Sequence, residues 1–154
     1  MHAGLRLLGG NDLPFSDNTF DLVISRDVTW TLQQPEETLL EWKRVVKPGG
    51  QVLYFDANWY YHLYDEEWMN LHLENEEIKS QNGLPIHDKG KVMEEIAREL
   101  PMSKRLRPTW DLKELPQLGF RNVKALKNLN SVIYTEEEQL RYRSKPEFLV
   151  IAEK

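Results

Sequence analysis

The segment between residues 20 and 55 leaves this chain few folds to choose from. Residues 20–25 (FDLVIS) are apolar, β-branched and short, the pattern of a strand buried on both faces. Pro35 then opens a helix at its first position, with Glu36 and Glu37 in the first turn, where the helix dipole favours negative charge. Leu39, Trp42 and Val46 recur at helical spacing and form a stripe to be buried. Lys43, Arg44 and Lys47 suit the negative end of that helix, and Pro48-Gly49-Gly50 stops it. A second apolar run, residues 52–55, follows at once. Strand, helix, turn and strand within ~35 residues make a βαβ unit, with parallel strands and a right-handed crossover. Such units bind ligands at the carboxyl ends of their strands. Here those ends are Ser25-Arg26-Asp27 and Asp56-Ala57-Asn58.

The flanking sequence is read more weakly. Residues 5–8 suit a short strand, and Gly9-Gly10-Asn11-Asp12 a turn. Residues 59–100 have helical periodicity. Tyr64, Trp68, Leu71 and Ile78 form one apolar stripe, and Val92, Ile96 and Leu100 another, both expected to pack inward. Asp111 is expected to cap a short helix, with Glu114 three residues on; Pro116 bends or shortens it, and Leu118-Gly119-Phe120 ends it. Residues 121–126 suit a strand, Thr135 with Glu138 a second capping pattern, and residues 148–152 (FLVIA) a buried closing strand. A length of 154 residues suits one domain.

Charge and composition narrow the partners. A net charge of -5 argues against nucleic acid or an anionic membrane surface. Without cysteine, disulfides and thiolate chemistry are excluded. No apolar run approaches the ~20 residues of a membrane helix, and the N-terminus does not resemble a signal peptide, so a cytoplasmic setting is expected.

Several stretches resemble one family. "LPFSDNTFDLVIS" (residues 13–25) resembles the segment of class I S-adenosylmethionine (SAM) dependent methyltransferases, type 11-like, that leads into their fourth strand. "LLEWKRVVKPGGQVLYFDANWY" resembles their next helix, turn and fifth strand, while "LPQLGFRNVKAL" and "PEFLVIAEK" resemble the last helix and closing antiparallel hairpin. The resemblance implies an α/β fold: a partial Rossmann-like doubly wound sheet from the fourth strand onward, in a single partial domain over residues 1–154. A helical cap over residues 59–100 would be inserted in it.

The resemblance also implies a cofactor, SAM, and a site incomplete in this sequence. The family's glycine-rich loop and the acidic residue that holds the ribose would lie upstream, and no G-x-G-x-G motif occurs here. Where many members have Gly-Asp-Ala, this sequence has Leu8, Gly9 and Gly10, so Asn11 or Asp12 could hold the adenine only through a shifted turn. In the family's order the first strand lies beside the fourth, so without it residues 20–25 would form a bare apolar edge, open to self-association. The chain is therefore expected to be the C-terminal part of a methyltransferase, inactive alone, from an incomplete gene product or half of an assembly. A non-catalytic pseudoenzyme or an edge-pairing interaction module is the alternative.

Site residues follow from the same comparison. Ser25, Arg26 and Asp27 match positions that line the cofactor pocket in the family. Trp30, one helical turn on, would hold the sulfonium by cation–π attraction, with plain packing as the alternative. Arg26 is expected to pair with a carboxylate or loop carbonyl, and Asp21 to bond loop amides. Asp56, Asn58, Trp59, Tyr60, Tyr61 and His62 would meet a small-molecule acceptor. No general base stands out. His62 and His72 are ten apart, so no metal pair is expected, and His87 sits in a polar loop.

Overall fold

Parallel pairing is the first consequence of the βαβ segment. In the computed structural model, which describes residues 10–84 and 90–154, β1 (Phe20–Arg26) lies parallel to β2 (Val46–Asp56), with Val23 opposite Val52 and Ser25 opposite Tyr54. Helix α1 (Pro35–Val45) connects them and buries Leu39, Trp42 and Val45. The strand at residues 5–8 and the loop position of His87 lie outside the described residues.

Helix α1 ends at Val45, earlier than the Pro-Gly-Gly stop predicts. Val46 is already extended (φ -78°, ψ 141°) and its N–H still donates to Trp42 O. The partners of Phe20 and Leu22 jump from Val46 to Gln51, so residues 47–50 bulge out of the ladder. Gly49 takes φ +77° there, and a Cβ on Gly50 would stand 2.7 Å from Asp21 O. Asp21 pairs with Lys47 Nζ at 2.8 Å across this bulge rather than with loop amides.

Beyond the parallel pair come α2 (Glu66–Gln81), α3 (Gly90–Glu99), α4 (Thr109–Gln117), β3 (Arg121–Leu126), α5 (Asn130–Ile133), α6 (Glu136–Arg141) and β4 (Phe148–Glu153). Strand β4 inserts between β2 and β3, antiparallel to both, giving the order β1-β2-β4-β3 and the expected closing hairpin. One sheet face packs under α1 and α4 through Leu39, Trp42, Val52, Tyr54, Leu115, Phe148 and Val150. The capping box of Thr135 and Glu138 opens α6 as read.

Three expectations are corrected. Strand β1 is not buried on both faces: among the described residues it is an edge strand, and Leu22 and Ile24 are 48% and 64% exposed. Leu53 and Phe55 of β2 and Leu149 and Ile151 of β4, which alternate with the core residues, stay only partly covered. The apolar stripes of residues 59–100 also face outward in part: Tyr64, Leu71, Val92 and Ile96 are exposed, while α2 turns Asn75 inward. Helical spacing finds a stripe but not which stripe the tertiary fold selects. Finally, Asp111 caps nothing. Helix α4 starts before it, and its buried carboxylate serves an ion pair.

Candidate active site

The two parallel strands end side by side, with the Asp27 N–H donating to Phe55 O at 3.0 Å. Asp56, closing β2, is fully buried and accepts from Trp30 N (2.7 Å), Ala57 N (2.9 Å), Trp59 Nε1 (2.8 Å) and the Thr29 hydroxyl. Burial pushes its pKa up, and the Arg107 charge and these donors oppose the shift. Asp56 thus orients two tryptophans. Trp30 also donates Nε1 to Asp27 O at 3.1 Å and packs on Tyr60, ring centroids 5.3 Å apart.

Asp27 ends β1 with φ +54°, a conformation that Asp tolerates better than most residues. Its side chain meets that of Glu147, which precedes β4. Because β4 runs antiparallel to β2, Phe148 pairs with Asp56, and the start of β4 arrives at the carboxyl end of the parallel strands. Asp27 Oδ1 and Glu147 Oε2 are buried without a hydrogen-bond partner among the described residues, and the two carboxyl groups lie close enough to repel each other when both are charged. Like charges held this close favour one group keeping its proton. Burial raises the pKa of both, the Asp27 charge raises Glu147 further, and Arg26 opposes the shift in each. The Tyr134 hydroxyl donates to Glu147 Oε1, which fixes that carboxyl group in place. Arg26 lies 3.4 Å from Asp27 Oδ2 and above the Tyr134 ring.

The remaining candidate residues divide. Ser25 Oγ is buried at the rim with no partner among the described residues. Asn11 and Asp12 are exposed, and Asn11 donates to Gln34 Oε1 just before α1. Trp59 packs edge-on against Tyr142 at 5.7 Å, and Lys145 Nζ sits over the Trp59 and Tyr60 rings at 5.7 and 5.4 Å. Burial lowers the Lys145 pKa to about 8. Asn58 is committed elsewhere: its amide donates to Arg107 O (2.7 Å) and accepts from Arg107 N (2.9 Å). Tyr61 turns to Trp68, and His62 stacks on His72 of α2.

Behind the rim, Arg107 is buried against Asp111, with Nε–Oδ2 at 2.6 Å and Nη2–Oδ1 at 2.7 Å. It also donates to Thr29 Oγ1 at 3.0 Å and lies 3.8 Å from Asp56. Tyr54 OH donates to Asp111 at 2.6 Å. A cleft beside this network is lined by Asn58, Trp68, Arg107, Asn128, Glu147 and Phe148.

Sequence reasoning missed Glu147, Tyr134, Lys145 and Arg107. Glu147 alone left a trace, as an acid placed just before a strand whose start must meet the functional rim in an antiparallel closing hairpin.

Residues 4–54 match the family model described as a methyltransferase domain. An uncharacterized methyltransferase of Schizosaccharomyces pombe is 52% identical over 46 residues, 30% of this chain and 16% of that protein. The fatty-acid O-methyltransferase of Mycolicibacterium smegmatis is 38% identical over 68 residues, 43% of this chain and 24% of that enzyme. The chain thus spans under a quarter of the length of these curated relatives. The phosphoethanolamine N-methyltransferase 2 of Haemonchus contortus, solved with S-adenosyl-L-methionine, superposes with a TM-score of 0.55 at 12% identity, covering 95% of this chain and 36% of that one. At that identity the likeness is one of fold.

Proposed function

We propose, for a chain that carries a class I SAM-dependent methyltransferase segment on a fold of that type, that it forms the acceptor-side part of such an enzyme. The observation that carries this reading is the rim at the carboxyl ends of β1 and β2. There Ser25, Asp27, Trp30 and Tyr60 converge on the side where doubly wound sheets hold their ligands. SAM supplies an activated methyl group on a sulfonium. The residues present fit its charged end: Ser25 Oγ and Asp27 Oδ1 are buried without a partner among the described residues at the end of β1, and the Trp30 and Tyr60 rings, packed on each other, favour a cation.

The chain's own residues would then position the acceptor and manage its proton. The Asp27–Glu147 pair accepts from an N–H or O–H nucleophile and takes up its proton as the bond to carbon forms. Trp59 and Tyr60 wall the site and exclude water. A small organic acceptor fits this aromatic enclosure, and the buried Lys145 ammonium suits one carrying a negative group. No G-x-G-x-G motif of the glycine-loop type occurs in the sequence. The partly bare sheet face of Leu22, Ile24, Leu53 and Phe55 is open to packing against a further surface. In this reading the isolated chain is inactive.

The test is methyl transfer. The chain is incubated with methyl-labelled SAM and acceptors bearing a carboxylate, an amine or a phenol. It is assayed alone and joined to the part of the Mycolicibacterium enzyme that precedes the matched segment. We expect no turnover alone and turnover in the joined protein, reduced roughly 100-fold or more by Glu147→Gln, the scale of general-base catalysis. A folded joined protein that binds SAM and methylates none of these acceptors overturns the proposal. The exposed β1 face also favours a second reading, a non-catalytic module that pairs through this strand. A tight dimer of the 154-residue chain without any response to SAM would select it.

A further inference from the structure

Three metal-ligating side chains converge from three separate elements beside the rim, the His62 ring 6.0 Å from that of Tyr60. His62 lies in the turn Tyr61–Leu63, His72 on α2 and Glu94 on α3. One ligand atom from each lies within 4.8 Å of the others. The imidazoles stack with centroids 4.0 Å apart and planes 20° from parallel, and His62 Nε2 is 4.0 Å from Glu94 Oε1. That distance is too long for a hydrogen bond.

The nitrogens themselves are bare. His62 Nε2 and His72 Nδ1 are buried with no hydrogen-bond partner among the described residues. Leaving a polar atom so placed is unfavourable, and such atoms call for an unseen partner. The site is not simply acidic. Burial disfavours positive charge on both rings, and so does Lys145, joined by Arg98 at His62 and Lys79 at His72; Glu76 and Glu94 favour it at His72.

We propose that His62, His72 and Glu94 bind one divalent transition-metal ion, with zinc the best match to two imidazoles and a carboxylate. Zinc bonds of ~2.0–2.1 Å place tetrahedral ligands roughly 3.3 Å apart, so atoms within 4.8 Å of one another must close by up to about 1.5 Å. One stacked ring must also turn to bring the ion into its plane. Rotation of the His72 side chain on α2 accomplishes this. The ion would fasten the turn Tyr61–Leu63, α2 and α3 into one unit. Two exposed apolar residues of α3, Val92 and Ile96, show how little packing holds that helix otherwise. This site does not depend on the methyltransferase reading.

The experiment is zinc titration of the chelator-stripped 154-residue chain at pH 7.5 against a chromophoric competitor. Thermal unfolding and the visible absorption of the cobalt(II) form are recorded in parallel. We expect one ion per chain, a metal-dependent rise in Tm and tetrahedral cobalt bands. Glu94→Gln, a change at a half-exposed position, and His72→Ala should each weaken binding at least 10-fold. Folded protein that binds no zinc at ~100 μM, above the micromolar range expected for a three-ligand site, overturns the proposal. So does binding that both substitutions leave intact, because the ion then lies elsewhere. Should His72→Ala fail to fold, Glu94→Gln decides alone.

Discussion

Replacing Arg107 by methionine tests how the rim is held in place. The Arg107 side chain is 2% exposed, and Asp111 and Asp56 are fully buried around it. In the Arg107→Met chain, Asp111 loses both of its guanidinium bonds and keeps the Tyr54 hydroxyl, while Asp56 loses the cation 3.8 Å away. Removing one partner of a buried ion pair costs about 3–5 kcal/mol, because the remaining charge stays buried and uncompensated. With a denaturant slope of ~2 kcal/mol/M for a domain of this size, the urea midpoint should fall by about 2 M. A loss of that size is a large share of the ~5–15 kcal/mol that holds a typical domain together. The Arg107→Met/Asp111→Leu chain should recover at least half of the loss, because apolar replacement of a whole buried pair is often neutral. Equilibrium urea unfolding followed by tryptophan fluorescence measures both. A midpoint shift below ~0.3 M for the single variant, or simple additivity in the double, would refute the assignment of Arg107 as the buried counter-charge.

Other substitutions probe separate links. Gly50→Ala should destabilise far more than Gly49→Ala. The added Cβ meets Asp21 O and Val46 Cγ1 at 2.7 Å at position 50, whereas position 49 is open and bears only the ~1–2 kcal/mol of left-handed strain; paired urea midpoints would show the order. Thr135→Ala removes the capping box of α6 and should cost about 1 kcal/mol, read from the same curves. The Asp27–Glu147 pair has folded pKa values above the unfolded ones, so its stabilising effect is present at low pH and is lost as pH rises. Stability measured from pH 4 to 8 should therefore shift steadily in favour of Glu147→Gln relative to the unsubstituted chain.

What could be read from sequence was local and periodic. The βαβ segment, the capping box at Thr135 and the closing strand each rest on residues within a few positions of one another, and each is present in the fold. The apolar stripes of α2 and α3 were periodic too, yet their inward face was set by distant partners such as Arg141, whose carbonyl takes the Asn75 amide at 3.0 Å. Arg107 and Asp111 are only four apart in sequence, but nothing local says that they are buried beside Thr29 and Asp56. The same holds for His62 and His72. Ten residues separate them in sequence, and only the packing of their turn on α2 stacks the rings. Glu147 acquires its chemistry by strand order alone, since an antiparallel β4 delivers it to Asp27.

The most direct measurement is the response of the five tryptophan indole N–H signals to SAM, recorded by NMR on the labelled 154-residue chain. If methyl transfer takes place at this rim, the Trp30 and Trp59 signals should move together and saturably. The affinity should be about 1 mM, weak because the sequence has no glycine-loop motif. Trp42 and Trp110, packed behind the sheet, should stay put. A folded chain in which Trp30 and Trp59 do not respond at ~10 mM SAM, or in which only the other tryptophans respond, would contradict the placement of the cofactor at the ends of β1 and β2.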